Sequence, residues 1–174
     1  MPERDYIKKA IVDYERDIMP FRFVFRLSDG ETISLKILPE DVSHLMGVRK
    51  LHLRQAQNSS AKVIYDHLKS GVITLDHFVG HKEEYKKAVN FPALISILYC
   101  GETVRVVKKI GSLNSSYLFY LDHSPDEIIH LGVKRDKRGA WHTETLLVIN
   151  KRGLDAYIRN QIPVVIEEMQ VQET

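Results

Sequence analysis

The chain has 174 residues, a formal net charge of +2 at pH 7 and a hydrophobic fraction of 44%. This length suits a single domain over residues 1–174 with a substantial core, and no apolar run approaches the roughly 18 residues of a membrane helix. The segment Met1 to Ala10 is charged and lacks the apolar centre of a signal peptide, so we expect a cytoplasmic protein with no membrane partner. The net charge alone is too small to indicate nucleic-acid binding, which must rest on local clusters of cations.

The first part of the chain is predicted to be helical, with one hairpin between the helices. Apolar residues recur at helical spacing over residues 4–17, which predicts an amphipathic helix. Apolar and polar residues then alternate on both sides of Asp29-Gly30, a favoured two-residue turn, so residues 21–37 are predicted to form a β-hairpin.

Three further helices are predicted before residue 90. Pro39 opens the first, which ends at Met46 before Gly47, and His44 lies close to its C-terminal end. Residues 48–57 carry four cationic or imidazole side chains among leucines and fit either a loop or an irregular helix. The other two helices cover residues 61–70 and 74–89.

Two histidines in the last of these helices have the spacing of a metal site. His77 and His81 are four residues apart, but Phe78 occupies the position where a zincin carries glutamate. We favour two solvated histidines and expect neither a metal nor a cofactor.

The second half of the chain is predicted to be mostly β-strands. An apolar segment, residues 91–99, forms a buried helix or strand and leads to Cys100, which we expect to be a buried core residue. Residues 103–107 and 117–121 are rich in β-branched and aromatic residues, which predicts strands on either side of a loop that begins with Lys108 and Lys109. A helix is predicted to start at Asn150 and to end before Pro163, and the acidic residues 167–174 are expected to form a flexible tail. The predicted fold class is α+β, with N-terminal helices packed on a mainly antiparallel β-sheet.

Residues 128–149 are predicted to form a hairpin around a strongly basic turn. Strict alternation along the second arm places Trp141, Thr143 and Thr145 on one face and His142 with Glu144 on the other. The turn carries four cations: Lys134, Arg135, Lys137 and Arg138. Such a cluster indicates either a phosphate-binding site or a solvated basic turn, and the solvated turn is the commoner case.

The sequence lacks the motifs of several enzyme classes. It contains no Gly-rich phosphate loop, no Cys/His pattern of a structural zinc site and no Gly-x-Ser-x-Gly elbow. What remains is histidine with cations and hydroxyl groups, the set that a metal-independent ribonuclease needs. His44, near a helix C-terminus that favours imidazolium, is a candidate acid, and His142 is a candidate proton carrier beside Glu144.

Several segments together resemble a family of nucleases. They are the hairpin FRFVFRLSDGETISLKIL, HLMGVRKL starting at His44, FPALISILY, YLFYL, HLGVKRD and the strand with TETLLV. In this order they resemble the phage-borne barnase/EndoU/colicin/RelE-like nucleases, in particular the fourth class of that group. The resemblance implies an RNase-like fold and metal-independent RNA cleavage, often as a toxin or phage-encoded effector. It matches the family's polar positions at His44, Lys134, Glu144 and Thr145, but Thr143 stands where we expect a proline.

The predicted function is a phage- or toxin-type ribonuclease that cleaves RNA by attack of the 2′-hydroxyl group. We expect His44 and His142 to carry protons, Lys134 and Arg135 to bind phosphate, and Glu144 and Thr145 to position these groups. Lys108, Lys109 and Tyr117 are further candidates for RNA binding. The alternatives are a non-catalytic module that binds RNA or protein through the same basic face, and a phage structural or assembly protein. An antitoxin or immunity protein as partner, and the oligomeric state, stay open.

Overall fold

The computed structural model describes residues 5–122, 124–151 and 157–174. These residues include five α-helices and eight β-strands, and all the strand pairs are antiparallel, so the predicted α+β class is confirmed. The chain divides into two compact units, Met1–Pro20 with Ile37–Pro92 and Phe21–Lys36 with Ala93–Thr174. Among the described residues, none of the helices combines the length and the apolar composition needed to cross a bilayer.

The first unit is helical. Its helices are α1 (Tyr6–Asp17), α2 (Pro39–Leu45), α3 (Ala61–Ser70) and α4 (Lys82–Asn90), with short 3-10 helices at Val48–Leu51 and Leu75–Phe78. Helix α1 buries the apolar stripe that its periodicity predicts, and α3 packs against both α1 and α2. Tyr14 anchors this packing, because its hydroxyl donates to the Ile37 carbonyl at 2.8 Å and its ring contacts the ring of Tyr65.

The helix predicted over residues 74–89 is interrupted in the structure. The 3-10 helix ends at Phe78, and the backbone turns at Gly80, where φ is +91°, before α4 begins. Nδ1 of His77 accepts a hydrogen bond from the Thr74 N–H at 3.1 Å. His77 therefore caps its own 3-10 helix, and it does not share a helix with His81.

The second unit contains two sheets and one helix. The strands are β1 (Phe21–Leu27), β2 (Thr32–Leu35), β3 (Glu102–Arg105), β4 (Tyr117–Asp122), β5 (Glu127–Arg135), β6 (Trp141–Asn150), β7 (Ile162–Val164) and β8 (Ile166–Glu173). One sheet has the order β2-β1-β8 and the other β6-β5-β4-β3-β7. Helix α5 (Leu94–Cys100) packs against β4 and β5. Phe25 of β1 contacts Phe119 of β4, with ring centroids 4.8 Å apart, and thereby joins the two sheets.

In three places the structure of the second unit differs from what the sequence predicts. The residues predicted to form a flexible tail instead form β8, in which Val171 and Met169 pair with Phe23 and Phe25 of β1. Cys100, expected in the core, is exposed at the end of α5. The helix predicted between Asn150 and Pro163 falls partly on residues 152–156, which lie outside the described residues. Residues 157–161 are described, and they form turns instead of a helix.

Candidate functional site

The basic hairpin predicted from the sequence is present and consists of β5 and β6. Its turn is fixed by Asp136, whose Oδ1 accepts hydrogen bonds from the N–H groups of Arg138 and Ala140 at 2.8 and 2.9 Å. The Asp136 N–H in turn donates to the Ala140 carbonyl at 2.8 Å. These bonds give the strand ends a defined geometry next to the cationic turn.

A β-bulge in β6 changes which side chains share a face. Gly132 pairs with Thr145 and Val133 pairs with Thr143, so Glu144 is the extra residue of the bulge. Thr143 therefore lies on the buried face with Val133, whereas Thr145 lies on the opposite face with Gly132. The predicted alternation was wrong beyond Thr143, because one extra residue reverses the faces of all that follows.

His142 lies directly opposite Lys134 in the hairpin and is bonded to the turn. Its Nε2–H donates to Oδ2 of Asp136 at 2.9 Å, and half of the His142 side chain is exposed. The hydrogen bond from His142 is the main cause that lowers the pKa of Asp136, followed by the turn N–H groups. Because a carboxylate only accepts hydrogen bonds, neutral His142 carries its proton on Nε2 and leaves a lone pair on Nδ1. This imidazole can therefore take a proton at Nδ1, and it can release one there when charged.

Glu144 is held at the bulge by the loop before β4. Its Oε1 accepts a hydrogen bond from the Asn114 N–H at 3.0 Å, and its Oε2 accepts one from the Ser115 hydroxyl. Ser115 is 6% exposed and lies above Gly132, where any side chain would overlap it. A glycine at position 132 is therefore required for the loop to reach Glu144. We call Lys134, Asp136, His142, Glu144, Thr145 and Ser115 the hairpin site.

Two of the predicted RNA-binding residues have other contacts. Arg135 lies on the other face of the hairpin, 3.3 Å from the Glu31 carboxylate and over the Trp141 ring at 5.0 Å. Tyr117 is only 4% exposed, and its hydroxyl donates to Asp29 at 2.7 Å. Since these contacts occupy both side chains within the second unit, we leave Arg135 and Tyr117 out of the hairpin site.

The remaining predicted residues lie outside the hairpin. Lys108 and Lys109 are exposed in the loop after β3, where the Gln161 side chain accepts from the Lys108 N–H at 3.1 Å. His44 is exposed in the last turn of α2, as its position before Gly47 predicts, and it belongs to the first unit. Roles in RNA binding and catalysis for these three residues stay predictions.

Sequence reasoning missed Asp136 as the partner of His142. The place of Asp136 in the turn was the available signal, because a carboxylate there can reach the strand that follows. No local pattern in the sequence indicates that Ser115 binds Glu144. Among the described residues, no group of three or more His, Cys, Asp and Glu side chains is placed to hold a metal ion.

The comparison with known families agrees with the resemblance seen in the sequence. A model of the family described as phage-Barnase-EndoU-ColicinE5/D-RelE like nuclease 4 matches residues 6–166. No curated protein and no solved structure matches the chain. The match includes both strands of the hairpin site and nearly the whole chain. The chain therefore belongs to the phage-Barnase-EndoU-ColicinE5/D-RelE like nuclease 4 family.

Proposed function

We propose that this nuclease-family protein is a metal-independent ribonuclease of the phage or toxin type and that the hairpin site carries its chemistry. The observation that carries the proposal is the arrangement of His142, which is bonded to Asp136 and lies directly opposite Lys134. It supplies a proton carrier and a cation on neighbouring strands, both exposed. Side chains directly opposite in an antiparallel pair have Cβ atoms about 5 Å apart, so one phosphodiester group can contact both.

The proposed reaction starts at the 2′-hydroxyl group of the RNA. Nδ1 of neutral His142 takes the hydroxyl proton while the 2′-oxygen attacks phosphorus. The bond from phosphorus to the 5′-oxygen breaks, which leaves a 2′,3′-cyclic phosphate, and an acid protonates the leaving oxygen. Lys134 stabilises the negative charge that accumulates on the phosphate oxygens.

The other members of the hairpin site have supporting roles in this proposal. Asp136 orients the imidazole of His142 and keeps its Nε2 occupied by a hydrogen bond, so that Nδ1 is the atom that takes the proton. Glu144 holds Ser115 and the loop above Gly132, and Thr145 shares that face of the sheet. On the strength of the family resemblance, we propose separately that His44, from the motif HLMG, serves as an acid in RNA cleavage.

The test is RNA cleavage in the presence of a chelator. We expect the wild-type protein to cut a pool of tRNA and mRNA and to leave cyclic phosphate ends. His142→Ala should reduce the rate by about 10²-fold or more, since general acid–base catalysis contributes about that much. His81→Ala is the matched control, because His81 lies outside the hairpin site. His44→Ala, assayed in parallel, tests the role proposed for His44.

Two outcomes would count against the ribonuclease. One is RNA that stays intact between pH 5 and 8, and the other is equal cleavage by wild type and His142→Ala. Intact RNA together with binding that weakens steeply with salt would favour a non-catalytic RNA-binding module instead. That second function is favoured by the exposed cations Lys134, Lys137 and Arg138 around one turn.

A further inference from the structure

The first unit contains a pocket that the proposed reaction does not use. It encloses about 280 Å³ and lies in the segment that follows α2. Its lining residues are Arg49, His52, Leu53, Ala56, Gln57 and Asn58. The lining combines a guanidinium, an imidazole and two amide groups with the small apolar surface of Leu53 and Ala56. The described residues that line the pocket include no carboxylate.

The charge around the pocket favours an anion. The sequence from Val42 to Tyr65 contains no aspartate or glutamate, but it contains Arg49, Lys50, Arg54 and Lys62. Lys50 lies 3.9 Å from Glu84 and Lys62 lies 2.7 Å from Asp66, so these two lysines have acidic neighbours. Arg49 is thus the cation of this segment that lines the pocket, and it is exposed.

The polar groups of the pocket are held in place by the backbone. The Arg49 guanidinium donates to the Ser59 carbonyl at 2.9 Å, and this bond fixes the position of the guanidinium. Its other N–H donors lie in the same plane. His52 and Asn58 have φ values of +52° and +60°, a conformation that costs free energy for any residue except glycine. The N–H groups of Ala56 and Gln57 donate to the Leu53 carbonyl and close the turn between them.

We propose that this pocket binds a nucleotide, with Arg49 on the phosphate and the amides of Gln57 and Asn58 on the edge of the base. Arginine binds phosphate through two parallel N–H donors, and asparagine and glutamine form paired hydrogen bonds with exposed base edges. The apolar surface of Leu53 and Ala56 accommodates a base or ribose, which inorganic phosphate does not have. The same chemistry is offered by a free nucleotide and by one unit of an RNA strand, and neither needs to be cleaved there.

The experiment measures binding to the full-length protein by calorimetry. The probes are the four nucleoside 5′-monophosphates, inorganic phosphate, and a 2′-O-methyl RNA hexamer that cannot be cut through its 2′-oxygen. Arg49→Ala should weaken mononucleotide binding about tenfold, because a charged hydrogen bond is lost. Asn58→Gly removes the amide and suits the positive φ, so it should fold as well as wild type and weaken binding several-fold. Arg54→Ala is the matched control for charge, and its affinity should stay within about twofold of wild type.

The probes also separate the two sources of the ligand. If the hexamer binds more tightly than the mononucleotides and its binding depends on Arg49 in the same way, the ligand is an RNA strand. If the hexamer and the mononucleotides bind with equal affinity per site, the ligand is a free nucleotide. Inorganic phosphate bound as tightly as the nucleotides, or no binding above that of Arg49→Ala, would overturn the proposal. His142→Ala should keep this binding, so a failure of the pocket and a failure of the ribonuclease proposal give different results.

Discussion

Replacing Gly132 with alanine tests the packing that holds Glu144 at the hairpin site. A Cβ atom at this position would overlap the hydroxyl of Ser115 and would lie 3.1 Å from Cγ2 of Thr145. Ser115 is 6% exposed, so it has little room to move away. The added methyl group should displace the Ser115 side chain and break its hydrogen bond to Glu144.

The expected loss of stability follows from these contacts. Overpacking costs about 1–3 kcal/mol, and a lost hydrogen bond to a charged group costs about 1.5–3 kcal/mol. We therefore expect Gly132→Ala to lower the free energy of unfolding by about 3 kcal/mol or more. In a Ser115→Ala background the overlapping hydroxyl is absent and the next atom of residue 115, its Cβ, lies 3.3 Å away. There the same change should cost only about 1 kcal/mol.

The assay is urea unfolding of wild type, both single variants and the double variant. Residues in direct contact are coupled, so the double variant should be about 2 kcal/mol more stable than the sum of the single effects implies. If the two single effects on the free energy of unfolding simply add in the double variant, the reasoning is refuted. That result would mean that the Ser115 side chain is not what excludes a Cβ atom at position 132. Ser115→Ala also serves as the control for the loss of the hydrogen bond alone.

Three other predictions concern the second unit. Burial lowers the pKa of His130 from 6.5 to about 4, against a smaller opposing effect of the Leu147 backbone. As the pH falls, His130 is therefore protonated in the unfolded chain before it is protonated in the folded protein. Its contribution to the free energy of unfolding is fully present above about pH 6.5, and up to about 3 kcal/mol is lost as the pH drops towards 4. His130→Leu should reduce this slope in urea unfolding across pH, and an unchanged slope would exclude His130 as its source. Tyr117→Phe removes a hydrogen bond of 2.7 Å to Asp29 and should lower the free energy of unfolding by about 1–3 kcal/mol in the same assay. A variant as stable as the wild type would show that this hydrogen bond does not stabilise the fold. Deletion of residues 166–174 removes β8 and exposes the edge of β1. Thermal melting should then show a lower melting temperature, and light scattering should show aggregation. A stable monodisperse product would argue against the pairing of β8 with β1.

The sequence predicted the elements whose causes are local. Asp29-Gly30 and the alternation on either side of it predict the β1–β2 hairpin, because a two-residue turn sets the pairing of adjacent strands. The apolar stripe of α1 and the stop at Gly47 after α2 are equally local, and they place His44 correctly in the last turn of its helix. The family resemblance added the expectation of a nuclease, which the match over residues 6–166 bears out.

The pairing of the C-terminal segment could not be predicted in this way. Residues 167–174 are acidic and polar, and a short segment of that composition has no reason to be ordered by itself. Its order comes from the edge of β1, a strand far away in the sequence, whose backbone groups it pairs. Long-range pairing of this kind depends on the completed sheet and leaves only a weak local signal.

The detailed geometry of the hairpin site was likewise decided by the tertiary structure. The sequence alone indicated the strands, the basic turn and the candidates Lys134, His142 and Glu144. It placed His142 and Glu144 side by side on one strand face. In the structure, Glu144 lies at the bulge and binds Ser115, and His142 binds Asp136. A bulge arises from the register between two strands and from the space above Gly132. Residue types and periodicity therefore determine which groups are available for chemistry, and packing across the sheet determines which of them meet.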